Sequence, residues 1–154
     1  MADATIFNRL KQDHDAHRQL LDKISDAKSE PDRLDKLFEQ FKIEVTAHAA
    51  AEEETLYATM LARPDLREDA QHSVSEHKEI DDYLEELSEL KFNGEAWKRK
   101  FAEMRKRYLH HIDEEEEEMF PDAAKELTAD EEERLAALFA HRKPAELKRA
   151  EAEN

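Results

Sequence analysis

The 154-residue chain has no cysteine, one glycine and four prolines. Without cysteine there is no disulfide framework, no iron–sulfur cluster and no thiolate zinc site. So little glycine and proline leaves few residues suited to hairpins and tight turns. No apolar run approaches the ~18 residues needed to cross a bilayer. Residues 1–6 lack the basic and apolar regions of a secretion signal. Basic residues are also outnumbered: 24 Lys and Arg face 40 Asp and Glu, a net charge of −16. That balance argues against nucleic acid and anionic membrane surfaces, both of which need a basic patch. A cytoplasmic location is the expectation, and no motif for a protein partner is visible.

What remains is helix-forming material. Leu, Ala, Glu and Lys dominate, and these favour the α-helix. The length suits one domain, 1–154. Prolines and the lone glycine punctuate it. The reading places helix one at about 5–28 with Asp3 or Thr5 as its cap, and helix two at about 31–61, opened by Ser29 and Pro31. Helix three covers about 65–91 and is closed by Asn93-Gly94. Helix four covers about 95–120, with Pro121 kinking or ending it. Thr128 and Glu131 have capping-box spacing for a fifth helix. That helix is expected to end near Pro144, with the charged tail after it helical or frayed and the whole C-terminal segment about 129–150. The predicted architecture is all-α: an up-down antiparallel four-helix bundle, core about 5–125, with a short C-terminal fifth helix.

The apolar stripes are interrupted. Helix two presents Leu34, Phe38, Phe41 and Val45, and then His48, Glu52 and Leu56. Helix four repeats the pattern with Trp97, Phe101, Met104 and Tyr108, then His111, Glu115 and Met119. Each thus sets a histidine and a glutamate four residues apart on the face that should be buried. Helix one adds His14 and His17, and helix three adds His77. Burying an ionised carboxylate costs on the order of several kcal/mol. Coordination of a metal offsets that cost, with neutral imidazoles as natural companion ligands.

These positions belong to a duplication. A shift of 63 residues lays His14 on His77, Phe38 on Phe101, His48 on His111, Glu52 on Glu115 and Tyr57 on Phe120. The repeated unit is a helix pair supplying one histidine and then His-x-x-x-Glu. Two copies about a pseudo-twofold axis bring four histidines and two glutamates together. Satisfied core histidines alone do not explain two buried glutamates in repeat register.

On Asp13-His14, His48-x-x-x-Glu52, Glu76-His77 and His111-x-x-x-Glu115 with Met119-Phe120-Pro121, the chain resembles the hemerythrin-like, or HHE cation-binding, family over roughly residues 5–125. The resemblance implies two iron ions bridged by Glu52, Glu115 and an oxo or hydroxo group. His14 and His48 then hold one iron, and His77 and His111 the other. Spacing alone leaves iron, manganese and zinc open. The chain departs from the oxygen-carrying hemerythrins at Ser73, where they place a further histidine. Glu115 stands four residues after His111, where the carriers use an aspartate at five. Tyr108 takes a position where the carriers keep leucine, which sets a phenol toward the pocket.

Other residues read more plainly. His17 is a core histidine whose repeat mate is Ile80; His72 and His110 are flanking, and His141 lies outside the repeat. Among residues 114–118 only Glu115 is expected to face inward. Tyr57, Phe120 and Trp97 are core. None of the eight histidines has a glutamate three residues before it, which disfavours a ferritin-like site. The functional expectation is a non-haem di-iron protein that binds dioxygen or reacts with peroxide or nitric oxide, in sensing, scavenging or stress protection. Peroxidase, catalase-like or oxidase turnover is left open. The alternative is a metal-binding regulatory or iron-handling module without turnover.

Overall fold

The computed structural model describes residues 5–153, and among them there is no strand. The Asp3 cap and the first residues lie outside that range. Helix α1 spans Ile6–Asp26, and Thr5 caps it by accepting from the Asn8 amide at 3.2 Å. Helix α2 begins as Pro31–Glu52, passes through a π-helical turn at Glu53–Tyr57 and ends as Ala58–Leu61. Its N-cap is Glu30 rather than Ser29, with no side-chain hydrogen bond. Pro31 supplies the start instead, because its ring presets the helical φ and it has no amide to satisfy. Helix α3 is Pro64–Glu89.

The connection from α3 to α4 turns on Asn93, whose φ of 59° is left-handed. Gly94 therefore does not supply the left-handed residue; its φ is −77° and it caps the next helix. Its lack of a side chain matters for another reason. A Cβ there would lie 3.2 Å from the Lys91 carbonyl oxygen.

Helix α4 runs as Glu95–Glu114, enters a second π-helical turn at Glu115–Met119 and continues as Phe120–Glu126. Pro121 therefore does not end it. The proline falls in the first turn of the segment that follows the π turn, and the helix runs on through it to Glu126. The two π turns begin within a residue of the two His-x-x-x-Glu glutamates, one on each half of the duplication. A π turn inserts an extra residue and re-aims the side chains beyond it, a device common at functional sites.

Helix α5 spans Ala129–Glu153. Its capping box forms in both directions, Glu131 amide to Thr128 Oγ1 and Thr128 amide to Glu131 Oε1, each at 3.1 Å. It does not end near Pro144 but carries that residue inside 25 helical residues. Interior proline costs ~3 kcal/mol. The offset comes from packing: Leu135, Phe139, Lys143, Glu146 and Ala150 form a buried stripe along α1 and α2.

Helices α1 and α2 pack as one pair, and α3 and α4 as the other. The interior has three layers. One apolar cluster gathers Ile6, Leu10, Leu56, Tyr57, Met60, Phe120 and Phe139. A second gathers Leu21, Leu34, Phe41, Val45, Leu84, Trp97 and Met104. Between them lies a band of buried polar side chains, including His14, His48, Glu52, His77, His111 and Glu115. Apolar packing on both sides keeps water from that band, so its polar groups must find their partners within it.

Candidate metal centre

The six expected residues converge. His14, His48 and Glu52 offer ligand atoms all within 4.8 Å of one another, and His77, His111 and Glu115 do the same. Glu52 is fully buried, and Glu115 and His111 are 2% exposed. Glu52 also links the halves: its Oε1 lies 3.6 Å from His48 Nε2 and 3.2 Å from His77 Nε2. Glu115 Oε1 lies 2.5 Å from His111 Nε2.

Every one of the four imidazoles is aimed by a carboxylate behind it. His48 Nδ1 donates to Asp13 at 2.8 Å, and His111 Nδ1 to Glu76 at 2.9 Å. His14 Nδ1 donates to Glu116 at 2.7 Å, and His77 Nδ1 to Glu53 at 3.1 Å. Asp13 matches Glu76 and Glu53 matches Glu116 under the 63-residue shift, so the outer carboxylates obey the duplication as well. Such bonds fix the tautomer and the ring orientation, leaving Nε2 free to ligate.

Most of the inward atoms are without hydrogen-bond partners. Nε2 of His14, His48 and His111, and both carboxylate oxygens of Glu52 and Glu115, are buried and unpaired. Unsatisfied buried polar atoms are rare and costly. Imidazole nitrogen and carboxylate oxygen converging from four helices fit a bound metal cation, which would supply the missing partners.

Without metal the electrostatics are strained in opposite directions. Burial, with Glu115 nearby, raises the Glu52 carboxyl above its ordinary range. Burial also acts to raise Glu115, but the His111 charge overrides it and holds Glu115 low. His111 is pushed up to about 10 and His77 to about 9, because Glu115 and Glu76, and Glu52 and Glu53, outweigh burial. Burial lowers His48 and His17. Asp13 is held well below the usual carboxylate range; burial opposes this, and His48 and Lys143 prevail.

Several residues had other roles than the sequence indicated. Glu116, expected in the solvated acidic face, reaches His14 because the π turn rotates it inward. Lys143, 6% exposed, donates to Asp13 from α5 at 2.8 Å. No local pattern announces Lys143, whereas the repeat register could have found Glu53 and Glu116. His17 lies outside both ligand groups and shares a 2.6 Å hydrogen bond with Tyr108. Tyr108 also lines a small cavity of about 10 Å³ beside His48, His77 and His111. Ser73 turns its hydroxyl to Met119 Sδ at 3.1 Å. Tyr57 stacks on His77 with ring centres 5.3 Å apart, and its buried hydroxyl is unpaired. His72 and His110 are exposed beside Glu114.

Among curated proteins none matches the sequence. The crystal structure of a hemerythrin HHE cation binding domain-containing protein from Mycobacterium kansasii superposes with a TM-score of 0.82. That likeness is at 24% identity and covers 94% of this chain and 88% of the other, and it speaks to the fold. The family description "Hemerythrin HHE cation binding domain" matches residues 5–123, which span both helix pairs and both histidine–glutamate groups. The chain belongs to the hemerythrin HHE cation-binding family.

Proposed function

We propose that His14, His48, Glu52, His77, His111 and Glu115 hold two iron ions, with Glu52 and Glu115 bridging them. The bound pair serves to bind dioxygen, or to react with peroxide or nitric oxide, in sensing, scavenging or stress protection. The observation that carries this reading is the set of orphaned inward atoms: each imidazole is tied back by a carboxylate, and Nε2 of His14, His48 and His111 and both oxygens of Glu52 and Glu115 make no hydrogen bond. When bound, a ferrous pair supplies electrons to a small oxidising ligand.

The chain's own residues set the conditions. Asp13, Glu53, Glu76 and Glu116 orient the four rings. The apolar clusters on either side exclude bulk water. Tyr108 stands at the small cavity with its hydroxyl bonded to His17; when His17 Nδ1–H donates to the phenol oxygen, the phenol proton is free to be donated to a small ligand. That polarity favours redox chemistry or sensing over simple carriage.

The test begins with metal analysis of the purified protein, and then stopped-flow spectroscopy of the reduced form with oxygen, peroxide and nitric oxide. Two irons per chain and rapid spectral change with at least one ligand are expected. Fewer than two metals, or an inert reduced centre, overturns the reading. A second reading, a regulatory or iron-handling module without turnover, draws on α5: Phe139 packs 5.8 Å from the His48 ring and Lys143 bonds Asp13. It predicts an inert centre whose metal state changes the docking of α5.

A further inference from the structure

The two halves of the duplication are alike around the imidazoles and unlike one layer further out. Asp13 and Glu76 hold equivalent positions, and each accepts from one histidine, His48 or His111. Asp13 Oδ2, the oxygen that His48 uses, also accepts from Lys143 Nζ at 2.8 Å. Its Oδ1 accepts from Arg9 Nη1 at 2.6 Å. Glu76 has no lysine or arginine hydrogen bond among the described residues: Arg107 acts on it only through space while bonded to Glu79, and exposed His72 lies 3.5 Å away. Lys143 belongs to α5, outside the duplicated unit, and α5 packs on α1 and α2. The other half instead opens on a cleft of about 70 Å³ reaching His72, Glu76, Glu114 and Glu115.

A carboxylate that accepts from an imidazole N–H strengthens the opposite ring nitrogen as a metal donor. Two cations drawing on the same carboxylate reduce what it can give the imidazole. We infer that Lys143 is a positioning residue that acts through Asp13 and His48 to make the two metal positions inequivalent. The ion beside His14 and His48 is held by the weaker imidazole donor and is the electron-poorer of the two. The ligand set is symmetric, so the asymmetry comes from the cations behind the outer carboxylates, Lys143 and Arg9 on Asp13 and the more exposed Arg18 on Glu116, with the fifth helix supplying the buried one. This rests on the two-metal reading above.

The experiment is Mössbauer spectroscopy of full-length protein loaded with ⁵⁷Fe, after iron analysis. Two distinct quadrupole doublets of equal area are expected in the unaltered protein. Lys143→Met is expected to move one doublet toward the other, and Lys143→Arg, which keeps a cation, to preserve the separation. Arg9→Gln removes the second cation without touching α5, and is expected to move the same doublet in the same direction by less. It keeps the question decidable if Lys143→Met does not fold. A single doublet in the unaltered protein, or two doublets indifferent to Lys143→Met and Arg9→Gln, overturns the inference while leaving the two-metal reading intact. Fewer than two irons per chain defeats that reading itself.

Discussion

Tyr108 and His17, 91 positions apart, share a buried 2.6 Å hydrogen bond that locks the phenol beside the metal-binding layer. Tyr108→Phe leaves His17 Nδ1 without its partner in a dry site and is expected to cost the metal-free protein ~1–3 kcal/mol, read by urea denaturation. Tyr108→Leu also removes the polar wall of the small cavity. It is expected to slow autoxidation of the iron-loaded protein in air, and an unchanged rate would remove Tyr108 from the pocket chemistry.

Asp13 joins His48, Lys143 and Arg9. Asp13→Asn leaves the buried Lys143 ammonium with only Glu44, at 3.7 Å, as an anionic partner, and a loss of up to ~3–5 kcal/mol is expected. Metal affinity should fall roughly 10–100-fold as His48 loses its anionic acceptor. Chelator competition reads the second effect, and adding Lys143→Met should recover part of the first.

Glu52 is fully buried with unpaired oxygens, and burial raises its carboxyl. Glu52→Gln is expected to leave the metal-free protein at least as stable, by up to ~1–3 kcal/mol, yet unable to hold two metals per chain. Paired denaturation and metal analysis separate the effects. A metal-free variant much less stable than the parent would show that the carboxylate is structural.

The metal-free protein should lose stability as solutions become basic. His77 and His111 are raised from 6.5 to about 9 and about 10. A histidine raised on folding stabilises fully below its unfolded value, and that contribution disappears as pH rises through the folded value. Thermal unfolding across about pH 6 to 10.5 should therefore show a decline concentrated above neutrality. Both protons must leave before the rings ligate, so metal uptake should release protons and strengthen with pH.

Glu146 is 5% exposed on α5, and burial together with Glu54 raises its carboxyl. An acid raised on folding destabilises the fold increasingly as pH climbs from its unfolded toward its folded value. Glu146→Gln mimics the protonated form. It is expected to raise the melting temperature at neutral pH, with the gain vanishing in the acid range where wild-type Glu146 is itself protonated.

The sequence made the ligand layer legible because helical periodicity is local: residues four apart share a face whatever surrounds them. His48 with Glu52 and His111 with Glu115 needed no tertiary information to be placed inward. The same rule failed at Glu116, because a π turn breaks the period on which it depends. It failed again at Pro144, where local propensity ends a helix and the buried stripe of Lys143, Glu146 and Ala150 continues it.

By itself, then, the sequence determined the helices, their apolar stripes and the repeat that sends four histidines and two glutamates to one layer. Only the tertiary structure decided which carboxylate stands behind which imidazole, and that one half of the layer is braced by a lysine 130 residues from its partner. The physical reason is range: backbone hydrogen bonding and side-chain period act over a turn or two. A charge buried between helices is placed only when their surfaces pack together.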